Sequence, residues 1–261
     1  MPTLIANYEE PRQLFAQLWQ EQGQQRILLW QGESGSGKST LIEHCLEHLP
    51  ENSFHVPIAM QSAVTITEIF YWMVRVLGAD NLPNFARQVA ILTGAAEVKI
   101  DSNWLAGINN RISVSLHTDN LQDQERRRAA LTHALFDDLE RWQMPVLFVF
   151  DTFEKAATSV ADWVQGPFLS GAFLVEPVRV LVAGQIVPDH KNIVWGKGCI
   201  YHELRGVPKA EAWLPVVEAL NRRIPHHEPL GYLAAYCKML KGQPSAILNV
   251  IEGWPLWEGT G

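Results

Sequence analysis

The chain has little of what marks a secreted, membrane-spanning or polyanion-binding protein. Its 261 residues hold three cysteines, Cys45, Cys199 and Cys237. An odd number with no shared metal-ligand spacing argues against a disulfide framework and reads as buried thiols in a reducing compartment. No apolar run approaches the ~20 residues needed to cross a bilayer. The start, Met1-Pro2-Thr3-Leu4, lacks the basic-then-apolar order of a leader. A cytoplasmic location without membrane contact is therefore expected. Positive charge is also scarce: 21 Lys and Arg against 28 Asp and Glu leave a net charge of −7, the wrong sign for a general nucleic-acid binder. The one basic cluster, Arg126-Arg127-Arg128, sits beside Glu125 in a helical pattern and reads as a solvated helix face.

What is present begins with Ile27-Leu28-Leu29-Trp30-Gln31, a buried-strand pattern, followed by Gly32-Glu33-Ser34-Gly35-Ser36-Gly37-Lys38-Ser39-Thr40 and a helical pattern. Gly32, Gly37, Lys38 and Ser39 fill all four fixed positions of G-x-x-x-x-G-K-[ST], in the strand-then-helix context the motif requires. A bare glycine-rich turn would cap a helix and do nothing more. Here three glycines let the backbone approach an anion, its N–H groups form a nest, and the helix N-terminus adds positive potential. Gly32 through Thr40 are accordingly the candidate phosphate-binding residues. Lys38 supplies a point charge for the β- and γ-phosphates, and the Ser39 hydroxyl is a candidate Mg²⁺ ligand.

Periodicity organises the rest. A leading helix is expected within residues 8–25, with Leu14, Phe15, Leu18 and Trp19 on one face and Gly23 as its stop. The loop helix should run from Lys38 to Leu49 and end at Pro50. Ser53 to Ala59 reads as a second strand, and Pro57 favours an edge position for it. Thr65 and Glu68 form a capping box opening a helix through Leu77, whose core face is read as Phe70, Trp72, Met73, Val76 and Leu77. Residues 79–120 read as an insertion, with a helix over Leu82–Leu92 and a strand or hairpin arm over Ile112–Leu116. A long helix over 122–143 presents Leu131, Leu135, Leu139 and Trp142.

Pro145 to Asp151 is a continuous apolar run ending in an acid, the pattern of a central parallel strand that carries a carboxylate to the sheet's carboxyl edge. Beside a phosphate loop, Asp151 is the expected Mg²⁺-side carboxylate, although strand-end acids also serve as caps. Val178 to Gln185 is another buried strand, and Gln185 at its end could reach the γ-phosphate or an attacking water. Ile200–Leu204 reads as a last strand. Helices follow over Lys209–Leu220 (perturbed at Pro215), Glu228–Lys241 and Pro244–Glu252, then an irregular tail. Strands alternating with helices, then helices alone, imply an α/β fold: a three-layer parallel-sheet P-loop NTPase domain over 1–206 and a small helical segment over 207–261.

Taken in order, the phosphate loop, Phe148-Val149-Phe150-Asp151-Thr152-Phe153-Glu154-Lys155, Val180 to Gln185, and Lys241-Gly242-Gln243-Pro244 resemble the STAND class of P-loop NTPases. This AAA-related class includes the NACHT and NB-ARC groups. The likeness spans about residues 8–253 and is closest to bacterial forms whose acidic strand ends D-T-[YF]-E. It implies an ATP/ADP switch with Mg²⁺, in which nucleotide lies between sheet and helical segment and Pro244 approaches the base. It also implies a protein partner or effector in trans, nucleotide-dependent self-association, and a setting in bacterial signalling or defence.

Three departures from that pattern shape the expectation. Thr152 stands where hydrolytic members carry an acid, leaving Glu154 as the candidate general base. Gln185 stands where relatives often carry arginine, so the position brings no charge. A short chain leaves an effector or sensor array to separate partners or to a longer protein. Binding with slow hydrolysis follows, with catalytic candidates Glu154, Gln185 and Lys38. A pseudo-ATPase scaffold and a small-molecule kinase remain the alternatives; the kinase would need an arginine-rich lid, and residues 186–197 offer only Lys191 and Lys197.

Overall fold

Five parallel strands form one sheet in the computed structural model, which describes residues 5–6, 8–20, 24–94 and 107–257. They are β1 (Ile27–Gln31), β2 (Phe54–Ala59), β3 (Val146–Asp151), β4 (Val178–Gly184) and β5 (Cys199–Glu203), in the order β2-β3-β4-β1-β5. β1 lies in register with β4 on one side (Ile27 opposite Val180) and β5 on the other (Ile27 opposite Cys199). The chain leaves β1 toward the β2 edge and leaves β4 toward β5. β4 lies on the β2 side of β1, so the two connections cross at the carboxyl edge of the sheet, beside the phosphate loop. Pro57 sits on the edge strand β2, where its missing N–H faces no neighbour.

Alternation along the strands sorts two cores. Ile27, Leu29, Phe148, Phe150, Val180 and Val182 face one layer; Leu28, Trp30, Leu147, Val149, Leu181 and Ala183 face the other. The first layer holds α3 (Ile66–Leu77), α4 (Pro83–Thr93), α5 (Ile108–Leu116) and the long α6 (Leu121–Trp142). The second holds α1 (Glu9–Gln17), α2 (Lys38–Leu46) and the last helices, α9 (Leu214–Ala219), α10 (Pro229–Met239) and α11 (Pro244–Glu252). This is the three-layer α/β arrangement that the sequence pattern implies.

Several local expectations change. Ile112–Leu116 is the end of helix α5, not a strand. Five residues of alternation fit either period, and Ile108, Ile112 and Leu116, spaced by four and all buried, decide for the helix. Trp72 is 52% exposed, because the inward stripe of α3 is Phe70, Met73, Val74 and Leu77. α2 stops at Leu46, four residues before Pro50, and α1 stops at Gln17; Gly23 lies outside the described residues. Cys45 and Cys237 are buried but Cys199 is only half-buried; burial pushes the Cys45 and Cys199 thiols up to about 12. In the basic cluster, Arg127 is half-buried, donating to Asp123 at 2.8 Å and to the Ser115 carbonyl at 3.1 Å. The capping box closes as expected, with Thr65 N–H donating to Glu68 at 2.8 Å and Glu68 N–H to Thr65 Oγ1 at 3.2 Å.

Sequence patterning yields no assignment for residues 156–177. They form α7 (Thr158–Trp163), a wide turn at Val164–Phe168 containing Pro167, and α8 (Leu169–Leu174). Phe168 is their anchor, its ring 5.1–5.2 Å from those of Phe136, Phe148, Phe150 and Trp163. A second unforeseen contact caps α4. Leu82 precedes the helix and has no side chain to offer, so Asp138, 1% exposed on α6, accepts from the N–H groups of Asn84 (3.0 Å) and Phe85 (2.8 Å). Burial pushes its carboxyl above the usual range, against the pull of those two N–H groups.

Asp138→Ala leaves both donors orphaned at a buried helix end and is expected to cost about 2–4 kcal/mol. Asp138→Asn, which keeps an acceptor, should cost less than half of that. Urea denaturation midpoints of the two variants check both values.

Candidate functional site

β1 delivers its chain into a loop whose glycines take conformations closed to other residues. Gly35 and Gly37 have φ of +77° and +81°. A Cβ on Gly35 would also lie 2.2 Å from Ser245 Oγ. Inside the loop, Lys38 is 8% exposed, and its amine donates to the carbonyls of Gly32 (2.7 Å) and Glu33 (2.9 Å) and to Ser36 Oγ (3.3 Å). Burial lowers its pKa, opposed by the nearby charges of Glu154 and Asp151. A largely buried ammonium encircled by backbone dipoles is a site built for an anion.

The acidic strand meets this loop across β4. Ser39 Oγ donates to Asp151 Oδ2 at 2.7 Å, so a hydroxyl and a carboxylate converge where a hard divalent cation could take two oxygen ligands. Directly after Asp151, Thr152 sits at φ +59°, ψ +41°, a left-handed conformation strained for a β-branched residue. That turn swings Glu154 toward the end of β4. Its carboxylate accepts from the Gln185 N–H at 2.9 Å and from Gln185 Nε2 at 3.2 Å. Burial alone would raise the Glu154 pKa, but these bonds and the Lys38 charge outweigh it and hold the group below its ordinary 4.5. The two candidate catalytic side chains thus bind each other.

A cavity of about 450 Å³ joins these parts, within the size range of small-molecule sites. Ser34, Gly35, Gly37, Lys38, Ser39, Thr40, Asp151, Glu154, Gln185 and Pro244 all line it, whereas Gly32, Glu33 and Ser36 serve from behind as partners of Lys38. Its other end is apolar, with Ile5, Ala6, Tyr8, Trp213, Val216 and Leu248. One polar end of loop amides and cation and one apolar end fit a nucleoside triphosphate, and the converging Ser39 and Asp151 oxygens fit its Mg²⁺.

Sequence reasoning missed the residues that close this cavity. The Tyr8 hydroxyl donates to the Ser36 carbonyl, which brings the leading segment against the loop. Gln243 Nε2 donates to the Ser34 carbonyl (3.0 Å) and Ser245 N–H to the Gly35 carbonyl (3.1 Å). Gln243 is the middle residue of the G-x-P turn and Ser245 follows it, so the turn was the available signal. Gly242 (φ +71°) makes that turn possible, because a Cβ there would lie 2.8 Å from the Val207 and Pro208 backbone.

The AAA ATPase domain family model matches residues 9–166, more than half of the chain, from the leading helix through the phosphate loop and the acidic strand. The chain belongs to this family. It is a nucleotide-binding P-loop NTPase of the AAA ATPase type. Among solved structures it is similar to the Walker-type ATPase PABY2304 of Pyrococcus abyssi (12% identity, TM-score 0.47) and to Cdc6p from Pyrobaculum aerophilum (10% identity, TM-score 0.48). Those alignments cover 95% and 96% of this chain but 67% and 62% of the other two. No curated protein sequence matches it. No helix among the described residues is long and apolar enough to cross a membrane.

Lys38→Ala removes the one buried cation of the AAA ATPase loop. Charge-assisted bonds of about 1.5–3 kcal/mol translate into a 10- to 100-fold loss of Mg²⁺-ATP affinity. Fluorescent-nucleotide titration at constant salt checks it.

Proposed function

We propose that this AAA ATPase domain is a nucleotide-dependent regulatory switch of the STAND type, with slow ATP hydrolysis and its output delivered to a protein partner. The observation that carries the reading is the pair of hydrogen bonds from Gln243 and Ser245 to the outer carbonyls of the phosphate loop. A loop that moves when its phosphate content changes would transmit that movement directly to α11. No intervening element is needed.

In this reading the loop amides and Lys38 hold the β- and γ-phosphates, Ser39 and Asp151 hold Mg²⁺, and the apolar end formed by Ile5, Tyr8, Trp213 and Leu248 takes the base. Bound Mg²⁺-ATP would supply a polarised γ-phosphorus for attack by a water, with the bond to the β–γ bridging oxygen breaking and ADP as the leaving group. Glu154 is the residue that accepts the water's proton, and Gln185 orients it. The same two groups support slow turnover, because the Glu154 carboxylate must first give up its two bonds to Gln185. Among the described residues lining the cavity, Lys38 and Lys155 are the cations and no arginine contributes. Charge stabilisation of the transferring phosphoryl would then need an arginine from a neighbouring chain. The division into a 1–206 α/β domain and a 207–261 helical segment, and self-association of the nucleotide-bound form, belong to the same proposal.

Measuring copurified nucleotide and then phosphate release tests this reading. Bound ADP with slow release supports the switch; bound ATP without turnover supports the scaffold alternative. Glu154→Gln should keep nucleotide affinity and lower phosphate release by at least 100-fold. With its pKa held below 4.5, Glu154 is ionised throughout the neutral range. The rate should therefore show no acid limb between pH 5 and 7 attributable to it. Gln243→Ala should leave ATP affinity within about 10-fold while reducing, by about half, the difference between ADP and ATP states in hydrogen exchange over 244–252, because the Ser245 backbone bond remains. An exchange difference undiminished in that variant would sink the coupling.

A further inference from the structure

We infer that His44, on the last turn of α2, and Glu47 and His48, in the turn that follows it, form a second metal site, selective for zinc-class divalent ions and separate from the Mg²⁺ position at the phosphate loop. One ligand atom from each of the three residues lies within 4.8 Å of the others. Zinc binds imidazole nitrogen at about 2.0–2.1 Å and carboxylate oxygen at about 2.0–2.2 Å, so two ligands of a tetrahedral ion lie about 3.4 Å apart. Side-chain rotations that move each donor by about 1 Å close that gap. Spacings of i, i+3 and i+4 put all three on one helix face.

The second observation concerns the His48 ring. Its Nδ1 lies 2.8 Å from the His44 carbonyl oxygen. A carbonyl can only accept, so Nδ1 carries the proton and Nε2 holds the free lone pair, which is how metal-bound histidines are oriented by a backbone partner. The two rings stand 4.7 Å apart. The end of α2 is also the negative pole of its helix dipole, which favours a cation. Two imidazoles and one carboxylate leave coordination positions for water and select zinc, nickel or copper over magnesium and calcium. Bound there, an ion clamps the end of the helix opposite Lys38 and stabilises the fold by mass action.

The test is titration of chelator-stripped full chain with Zn²⁺ against a chromophoric chelator in excess Mg²⁺, followed by Co²⁺ absorption spectroscopy. One equivalent is expected, with the visible absorption of a low-coordinate Co²⁺ centre. His48→Ala alters an exposed side chain and should lower affinity at least 10-fold, as should Glu47→Gln. His226→Ala/His227→Ala, which removes an adjacent exposed histidine pair, should leave binding unchanged. The inference is overturned by absence of stoichiometric binding, by binding that His48→Ala preserves, or by binding lost in the His226/His227 variant.

Discussion

Everything in the site is measured from a strand that has no free side. β1 is hydrogen-bonded to β4 and β5 along its two edges and packed by helices on both faces, with Ile27 through Trp30 fully buried. Its carboxyl end is therefore fixed by two ladders and two cores at once. The phosphate loop starts where that fixation stops, and it can hold strained glycine conformations because its entry is immovable. Asp151 reaches the loop from β3, one strand further on, and the 2.7 Å bond to Ser39 spans β4. Such a bond is possible only if the three strands end level, which the common register of the sheet enforces.

The parts of this arrangement legible in the sequence are those set by local rules. Four fixed positions of a loop, an apolar run ending in an acid, and a capping box each state their geometry within a few residues. Asp151, Ser39 and Lys38 consequently lie where pattern alone put them. What escaped is what depends on distant partners. Nothing near Asp138 says that it will cap a helix more than fifty residues earlier. Ile112–Leu116 looked like a strand because five alternating residues cannot distinguish the two periods, and Ile108 enters the pattern only once α5 has a surface to bury against. Residues 156–177 have mixed apolar content without a clean period; their structure follows from the pocket of rings around Phe168.

Glu154 illustrates a middle case. Its candidacy followed from Thr152 occupying the position of an acid, but the direction of its side chain rests on one backbone conformation. Thr152 in the left-handed region carries about 1–3 kcal/mol of strain, which the surrounding contacts must offset. The return is a carboxylate aimed at β4 instead of at solvent. Once aimed there it meets Gln185, and the same bonds that lower its pKa make it a weaker base and occupy its lone pairs. Pairing of this kind favours nucleotide retention over turnover, in keeping with the slow hydrolysis of the proposed switch.

The magnitude of the proposed coupling can be bounded. Two hydrogen bonds of about 1 kcal/mol net each join the loop to α11, so a rearrangement that breaks both shifts the helix equilibrium by about 2 kcal/mol, or roughly 30-fold. That lies inside the 1–3 kcal/mol typical of coupled sites. It is enough to change the dominant arrangement only if the two states already lie within about 2 kcal/mol of each other. The close backbone approach of Gly242 to Val207 and Pro208 bears on that condition, because it ties the G-x-P turn to the exit of β5 whatever α11 does. Movement is then confined to what lies beyond the turn, and a small hydrogen-bond energy need not displace the whole helical segment to be felt.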